Sequence, residues 1–185
     1  MGRTAGRDPD RTRRAILDAA AQVVRERGTS APLDEVARRA GVSKGGLLYH
    51  FSGKDDLLHA LAADFLERFR AAVLAAVDPD DDAPGRLVRA YVRASIEEAL
   101  DSATARESLA LLAHLAAVPA VAQVGREDSQ RWDAELRADG LPDDVRTLVV
   151  AAADGVSAQP LWGADASAAE LTALRDRLLA MTRVG

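Results

Sequence analysis

Apolar positions recur along this chain at three- and four-residue spacing almost from end to end, the period of amphipathic helices. Ile16, Ala20, Val23 and Val24 make one stripe of a helix expected from about Asp10 to Arg27, and Gly28 is its stop. Leu33, Val36, Ala37 and Ala40 fall at i, i+3, i+4 and i+7, one face of a second helix. Gly41 suits the left-handed position just past a helix end, where a side chain meets a steric penalty. Val42 can plug the angle between two helices, and Ser43 can cap the next by accepting from a free N–H. A short third helix is expected from Lys44 to about Tyr49. Ser52 with Asp55 gives a capping signal for a fourth, whose stripe is Leu58, Leu61, Phe65, Phe69, Val73 and Val77. At the helical rise that helix would be about 35 Å long, enough to leave a small domain and enter the rest of the chain.

The run from Asp78 to Gly85 is the clearest break: its prolines and glycine stop a helix, and its four aspartates favour solvent. A fifth helix follows from about Ala83 to Leu100, with Val88, Tyr91, Val92, Ser95 and Ala99 on one face. Ser102 is the expected cap of a sixth, ending near Val118; a seventh runs from about Ala120 to Ala138. An eighth starts near Asp143 and heads toward Trp162, with Gly155 and Pro160 able to bend or shorten it. Ser167 and Glu170 form a capping box for a last helix to about Arg183. The expectation is an all-α protein of about nine helices.

Composition narrows the class. With 48% apolar and 29% charged residues the chain reads as a soluble globular protein. Abundant Ala, Leu and Arg support the helical reading. No apolar run reaches membrane-spanning length, and the first residues lack the apolar core of a secretory signal, so a cytoplasmic location is expected. Cysteine is absent, which removes disulfides and thiolate chemistry. His50, His59 and His114 have no metal-ligand spacing, and no nucleophile elbow or phosphate loop occurs, so no metal, cofactor or catalytic role is expected.

The net charge of −5 conceals an asymmetry. Residues 1–59 carry 11 basic against 8 acidic side chains, a balance of +3, and the remainder carries −8. Both lysines of the chain, Lys44 and Lys54, lie in the first part. The asymmetry fits a nucleic-acid-facing end joined to an acidic body, with ordinary surface scatter as the rival reading.

The segment from Leu33 to Leu61, with Val36-Ala37, the run Ala40-Gly41-Val42-Ser43-Lys44-Gly45, Leu47-Leu48-Tyr49-His50-Phe51 and then Lys54 and Leu57, resembles the DNA-binding domain of the TetR family of bacterial transcriptional regulators. The resemblance covers about Arg13 to Leu61. It implies a helix-turn-helix domain over 1–61, with a basic arm at 1–9, and a helical ligand-binding and dimerisation domain over 62–185, bridged by the fourth helix. It also implies that the third helix enters the major groove of operator DNA and that Ser43, Lys44, Gly45, Gly46, Tyr49, His50 and Lys54 belong to the DNA-binding surface, with Lys44 and Gly45 near base edges and Tyr49, His50 and Lys54 on phosphates. Phe51 is read as core. The segment departs from the family pattern at Gly46, where a threonine or other reading side chain is usual, at Leu48, where many have tyrosine, and at Pro32, where a capping threonine is frequent. Direct base readout is therefore expected to be thin, with DNA shape and N-terminal arginines taking a larger share.

In the family the body binds a small molecule and dimerises. Candidate effector contacts are Tyr91 and Ser95, one turn apart; His114 within LALLAHLAAV; Asp128 and Trp132, one turn apart; and Trp162. A carboxylate beside an indole suits a flat or cationic molecule. The plainer readings are a solvated Asp128 at the edge of a core stripe and a satisfied core histidine at 114. Val145, Leu148, Val149, Ala152 and Val156, with Leu171, Leu174 and Leu178, are expected to form a four-helix homodimer interface, unless both stripes pack inside one subunit. The resulting expectation is a ligand-responsive homodimeric regulator, a repressor released from a palindromic operator by a small organic effector. The alternatives are a ligand-independent regulator or activator, and a helical interaction protein that has lost specific DNA binding.

Overall fold

The structure, a computed structural model, describes residues 8–159 and 166–183. Nine helices and no strand occur among the described residues: α1 (Pro9–Arg27), α2 (Leu33–Ala40), α3 (Lys44–His50), α4 (Lys54–Ala75), α5 (Arg86–Leu100), α6 (Ser102–Ala116), α7 (Pro119–Ala138), α8 (Asp143–Ala158) and α9 (Ala168–Met181). They divide into two compact units. One holds the chain up to Asp64 together with Leu111–Val124; the other holds Phe65–Ala110 and the chain from Gly125 onward. The end of α6 and the start of α7 thus group with the N-terminal unit rather than with the body to which position in sequence assigned them.

In the first unit, Asp8 caps α1 through its carboxylate, which accepts from the Asp10 N–H, and Pro9 takes the first helical position, where a missing N–H is harmless. Ile16, Leu17, Ala19, Ala20, Val23 and Val24 are buried on one side of α1. Gly41 ends α2 in the left-handed conformation (φ 67°), and Ser43 Oγ accepts from the Gly46 N–H at 3.0 Å to start α3. Leu47, Phe51, Leu57, Leu58 and Leu61 are buried. Arg14 ties α1 to α4 through Asp64, with Nη2 to Oδ2 at 2.9 Å. The α4 start departs from expectation: Asp56, not Asp55, closes the cap, its Oδ2 accepting from both the N–H and the hydroxyl of Ser52. These bonds hold the Asp56 carboxyl below its usual range.

In the second unit α5 is the central helix. Val88, Arg89, Ala90, Val92, Ala94, Ser95 and Ile96 are all buried, more than one face, because α8 and α9 both pack on it. Its start is three residues later than the pattern predicts. Gly85 is left-handed (φ 88°), and a Cβ there would stand 2.6 Å from the Leu141 side chain. No side chain of its own caps α5; Asp139 does so from across the unit, its Oδ2 accepting from the Val88 N–H at 2.8 Å. Asp101 rather than Ser102 caps α6, accepting from the N–H groups of Ala103 and Thr104. The capping box of Ser167 and Glu170 is formed at α9.

The linker aspartates are not all solvated. Asp81 is buried and chelated by the fully buried Arg89, Nε to Oδ2 at 2.6 Å and Nη2 to Oδ1 at 2.8 Å. The same guanidinium donates to the carbonyls of Ala83 and Pro84 at 2.9 and 2.8 Å. One arginine side chain thereby fixes a proline- and aspartate-rich turn that could not order itself by apolar burial.

Gly85→Ala is expected to destabilise the protein. The left-handed backbone disfavours alanine by about 1–2 kcal/mol, and the overlap with Leu141 adds about 1–3 kcal/mol. A thermal melt should show Tm lower by about 5–15 °C for a chain of this length; an unchanged Tm would mean the turn re-forms without that geometry.

Candidate nucleic-acid interface and effector pocket

Three short helices with a tight turn between α2 and α3 leave the outer side of α3 exposed. Ser43, Lys44, Gly45, Leu48 and Tyr49 are all exposed, Tyr49 by 82%. Leu47 points the other way, fully buried. His50 is half-buried and meets Tyr49 edge-to-face at 5.2 Å. A Cβ on Gly45 would touch only the Ser43 hydroxyl, at 4.0 Å, so packing does not account for this glycine. Gly46 is closer, at 3.3 Å from the same hydroxyl that caps the helix. Lys44 Nζ lies 3.1 Å from Asp34 Oδ2, both side chains well exposed, an ion pair weak enough to be exchanged for another anion. Pro32 precedes α2 without any side-chain cap bond. Residues 1–7, most of the basic arm, lie outside the described residues.

The second unit contains a pocket of about 350 Å³ lined by Tyr91, Gly125, Asp128, Ser129, Trp132, Asp133, Leu136, Arg146, Val150 and Asp154. Of the six effector candidates read from the sequence, it brings together Tyr91, Asp128 and Trp132. Ser95 is buried and does not line it. His114 is neither in a core nor in this pocket; it belongs to the other unit and is exposed, with its ring 3.6 Å from where a Cβ on Gly28 would stand. Trp162 lies outside the described residues.

The reading of Asp128 and Trp132 as a receptor for a cation needs correcting, because the protein supplies its own. Arg70 on α4 places its guanidinium 4.0 Å from the Trp132 ring centroid and donates to Asp128 at 3.3 Å and Glu135 at 2.6 Å. Its side chain is only 3% exposed. Sequence reasoning paired residues one turn apart on α7 and had no means of bringing α4 across them.

Asp154 and Arg146, also missed, come from α8. Tyr91 OH donates to Asp154 Oδ1 at 2.6 Å. Tyr91 packs edge-to-face on Phe69 and Trp132, at 5.3 and 5.2 Å. Burial, with the neighbouring Asp154 carboxylate, pushes the Tyr91 phenol well above its usual range, so it stays a neutral donor. Withdrawal from water likewise raises the Asp154 carboxyl, against the phenol's hydrogen bond. Arg146 is clamped between Asp143 and Asp133, at 3.0 and 3.5 Å. The one signal in sequence was a lone carboxylate within the apolar stretch LVVAAADGVSA.

The expected dimer stripe is split. Val149, Val156, Leu171 and Leu178 are buried in the subunit's own core, and Val145, Ala152 and Leu174 pack against it, so the first four are not available to a partner. Leu148, 55% exposed, faces outward with Ala151 and Gly155. The stripe was read as one face, but α5 takes its inner half.

Fold and reading head define a helix-turn-helix DNA-binding protein. The family profile described as "Bacterial regulatory proteins, tetR family" matches residues 16–61, and that described as "Tetracyclin repressor-like, C-terminal domain" matches 85–183. The chain belongs to the TetR family of bacterial transcriptional regulators, and it is a DNA-binding regulator, not an enzyme. It is similar to the HTH-type transcriptional regulator SrpR of Pseudomonas putida, at 42% identity over 34% of this chain, and to BetI of Klebsiella pneumoniae, at 35% over 52%. Those matches span 30% and 50% of the relatives' own lengths. Similar structures include a TetR-family member from Streptomyces coelicolor A3 (28% identity, 94% of this chain and 99% of that one, TM-score 0.70). Another is the multidrug binding protein EbrR complexed with ethidium (30% identity, 94% and 99%, TM-score 0.66). No single described helix is long and apolar enough to cross a membrane.

Proposed function

We propose that this protein is a homodimeric repressor that leaves a palindromic operator when a small organic molecule enters the pocket of its second unit. The observation that carries the reading is a pocket of effector size, walled by Tyr91 and Trp132 and carrying three carboxylates and one arginine, in the chain that also carries the exposed α3. The likeness to EbrR, a multidrug binding protein complexed with ethidium, supports an effector of that general kind. Lys44 and Gly45 address base edges, while Tyr49, His50 and Lys54 hold phosphates. The domain division at about residue 61, bridged by α4, belongs to the same proposal: α4 starts in the reading unit and continues past Asp64 into the pocket unit, where Arg70 fastens it to α7. An effector acts only through its differential affinity for the two arrangements of the dimer.

Sequencing genomic DNA fragments retained by the purified protein tests this. An inverted repeat with half-sites about one helical turn apart, or a multiple of it, should be enriched. Within that site Lys54→Ala should weaken binding to all sequences and reduce the salt slope by about one, whereas Lys44→Ala should relax preference at one base position. Fragments no more enriched than bulk DNA would favour an interaction protein that has lost specific DNA binding.

A further inference from the structure

We propose that Asp154, walled by Tyr91 and Trp132, is the receptor for the cationic head of the effector, which is a monocation carrying an apolar or aromatic body. This rests on the effector reading above and names the ligand class of that site. Three carboxylates line the pocket, and two are already neutralised within the protein. Asp128 is held by Arg70. Asp133 lies 2.9 Å from Arg137 and 3.5 Å from Arg146. Asp154 is bound by the Tyr91 phenol, a neutral donor that fills one of several accepting positions on a carboxylate. The lining side chains carry three negative charges and one positive, Arg146; Asp128 and Asp133 have arginine partners, whereas Asp154 is bonded by a neutral phenol. Asp154 is also reachable from solvent, so a ligand can meet it without unpacking the core.

The walls suit the rest of such a molecule. Tyr91, Trp132, Leu136 and Val150 supply aromatic and aliphatic surface, and cations are attracted to aromatic faces. An anionic effector would meet a net negative lining, with Arg146 already committed to Asp133 and Asp143. Partial withdrawal from water raises the Asp154 carboxyl above its ordinary range.

The test titrates the unsubstituted chain with benzyltrimethylammonium and with its neutral isostere neopentylbenzene. Binding of either probe is read from tryptophan fluorescence. Asp154→Asn should weaken the ammonium probe about tenfold or more and leave the neutral probe unchanged. Asp128→Asn should weaken the ammonium probe less than Asp154→Asn does. The proposal is overturned if Asp154→Asn binds the cation as tightly as its parent, if it weakens both probes equally, if Asp128→Asn has the larger effect, or if the folded parent binds neither probe. Operator binding by the same parent is measured separately. A parent that holds its operator but no cation sinks this inference alone; one that takes the cation and retains no specific DNA sinks the regulator reading.

Discussion

Arg89→Ala should destabilise the protein by about 3–5 kcal/mol, because it leaves the buried Asp81 carboxylate with only the longer contacts to Arg183 and the Ala83 N–H. The Arg89 side chain is completely inaccessible and Asp81 only 3% exposed, so water cannot replace the lost partner without opening the unit. The carbonyls of Ala83 and Pro84 lose their donor at the same time, and the start of α5 loses the turn that leads into it. Asp81→Asn keeps an acceptor for Arg89 but leaves that fully buried guanidinium without its counter-charge, so it too should destabilise the protein. The pH dependence separates the two effects. Arg89's hydrogen bonds hold the Asp81 carboxyl below its usual range. A group whose folded value is depressed stabilises fully above its unfolded value and loses that contribution as pH falls through the folded one. The gap between wild type and Asp81→Asn in urea unfolding should therefore narrow as pH falls through and below the ordinary carboxylate range. A gap that widened on acidification would contradict the assignment of Asp81 as the charged partner.

The second large effect is expected at the outward side of α8. Leu148→Glu places a carboxylate where the proposed two-fold interface would bury it. The variant should remain folded, since Leu148 is more than half exposed in the subunit, yet become monomeric by light scattering. Operator affinity should then drop by about 10²–10⁴-fold, because one half-site no longer benefits from its tethered neighbour. Val149→Glu is the contrast: Val149 is fully buried beneath α5, so that change should unfold the second unit instead. A folded, dimeric Leu148→Glu would place the dimer surface elsewhere.

Much of the fold was legible because it is written in local signals. Gly28 and Gly41 stop helices by backbone conformation, Ser43 and Ser167 start them by capping, and the three- and four-residue spacing of apolar positions marks each buried face. All of these act within about one helical turn, so a linear reading suffices. The reading head was legible for the same reason: turn, cap and exposed helix are contiguous in sequence, and the family resemblance rests on that contiguous run.

The pocket is different. Its defining contacts join Arg70 to Asp128 and Glu135, and Tyr91 to Asp154, across 58 to 65 residues. Periodicity shows that Asp128 and Trp132 share a face of α7, yet it cannot say which helix crosses that face. The structure put an arginine from α4 there. The same physical reason governs the α8 stripe and the linker. A helix can carry apolar residues around more than half its circumference, and only the position of α5 decides which of them become core and which remain for a partner. Four aspartates in a linker read as solvated by composition; one of them is buried, because a single arginine eight residues away on α5 turns back to meet it.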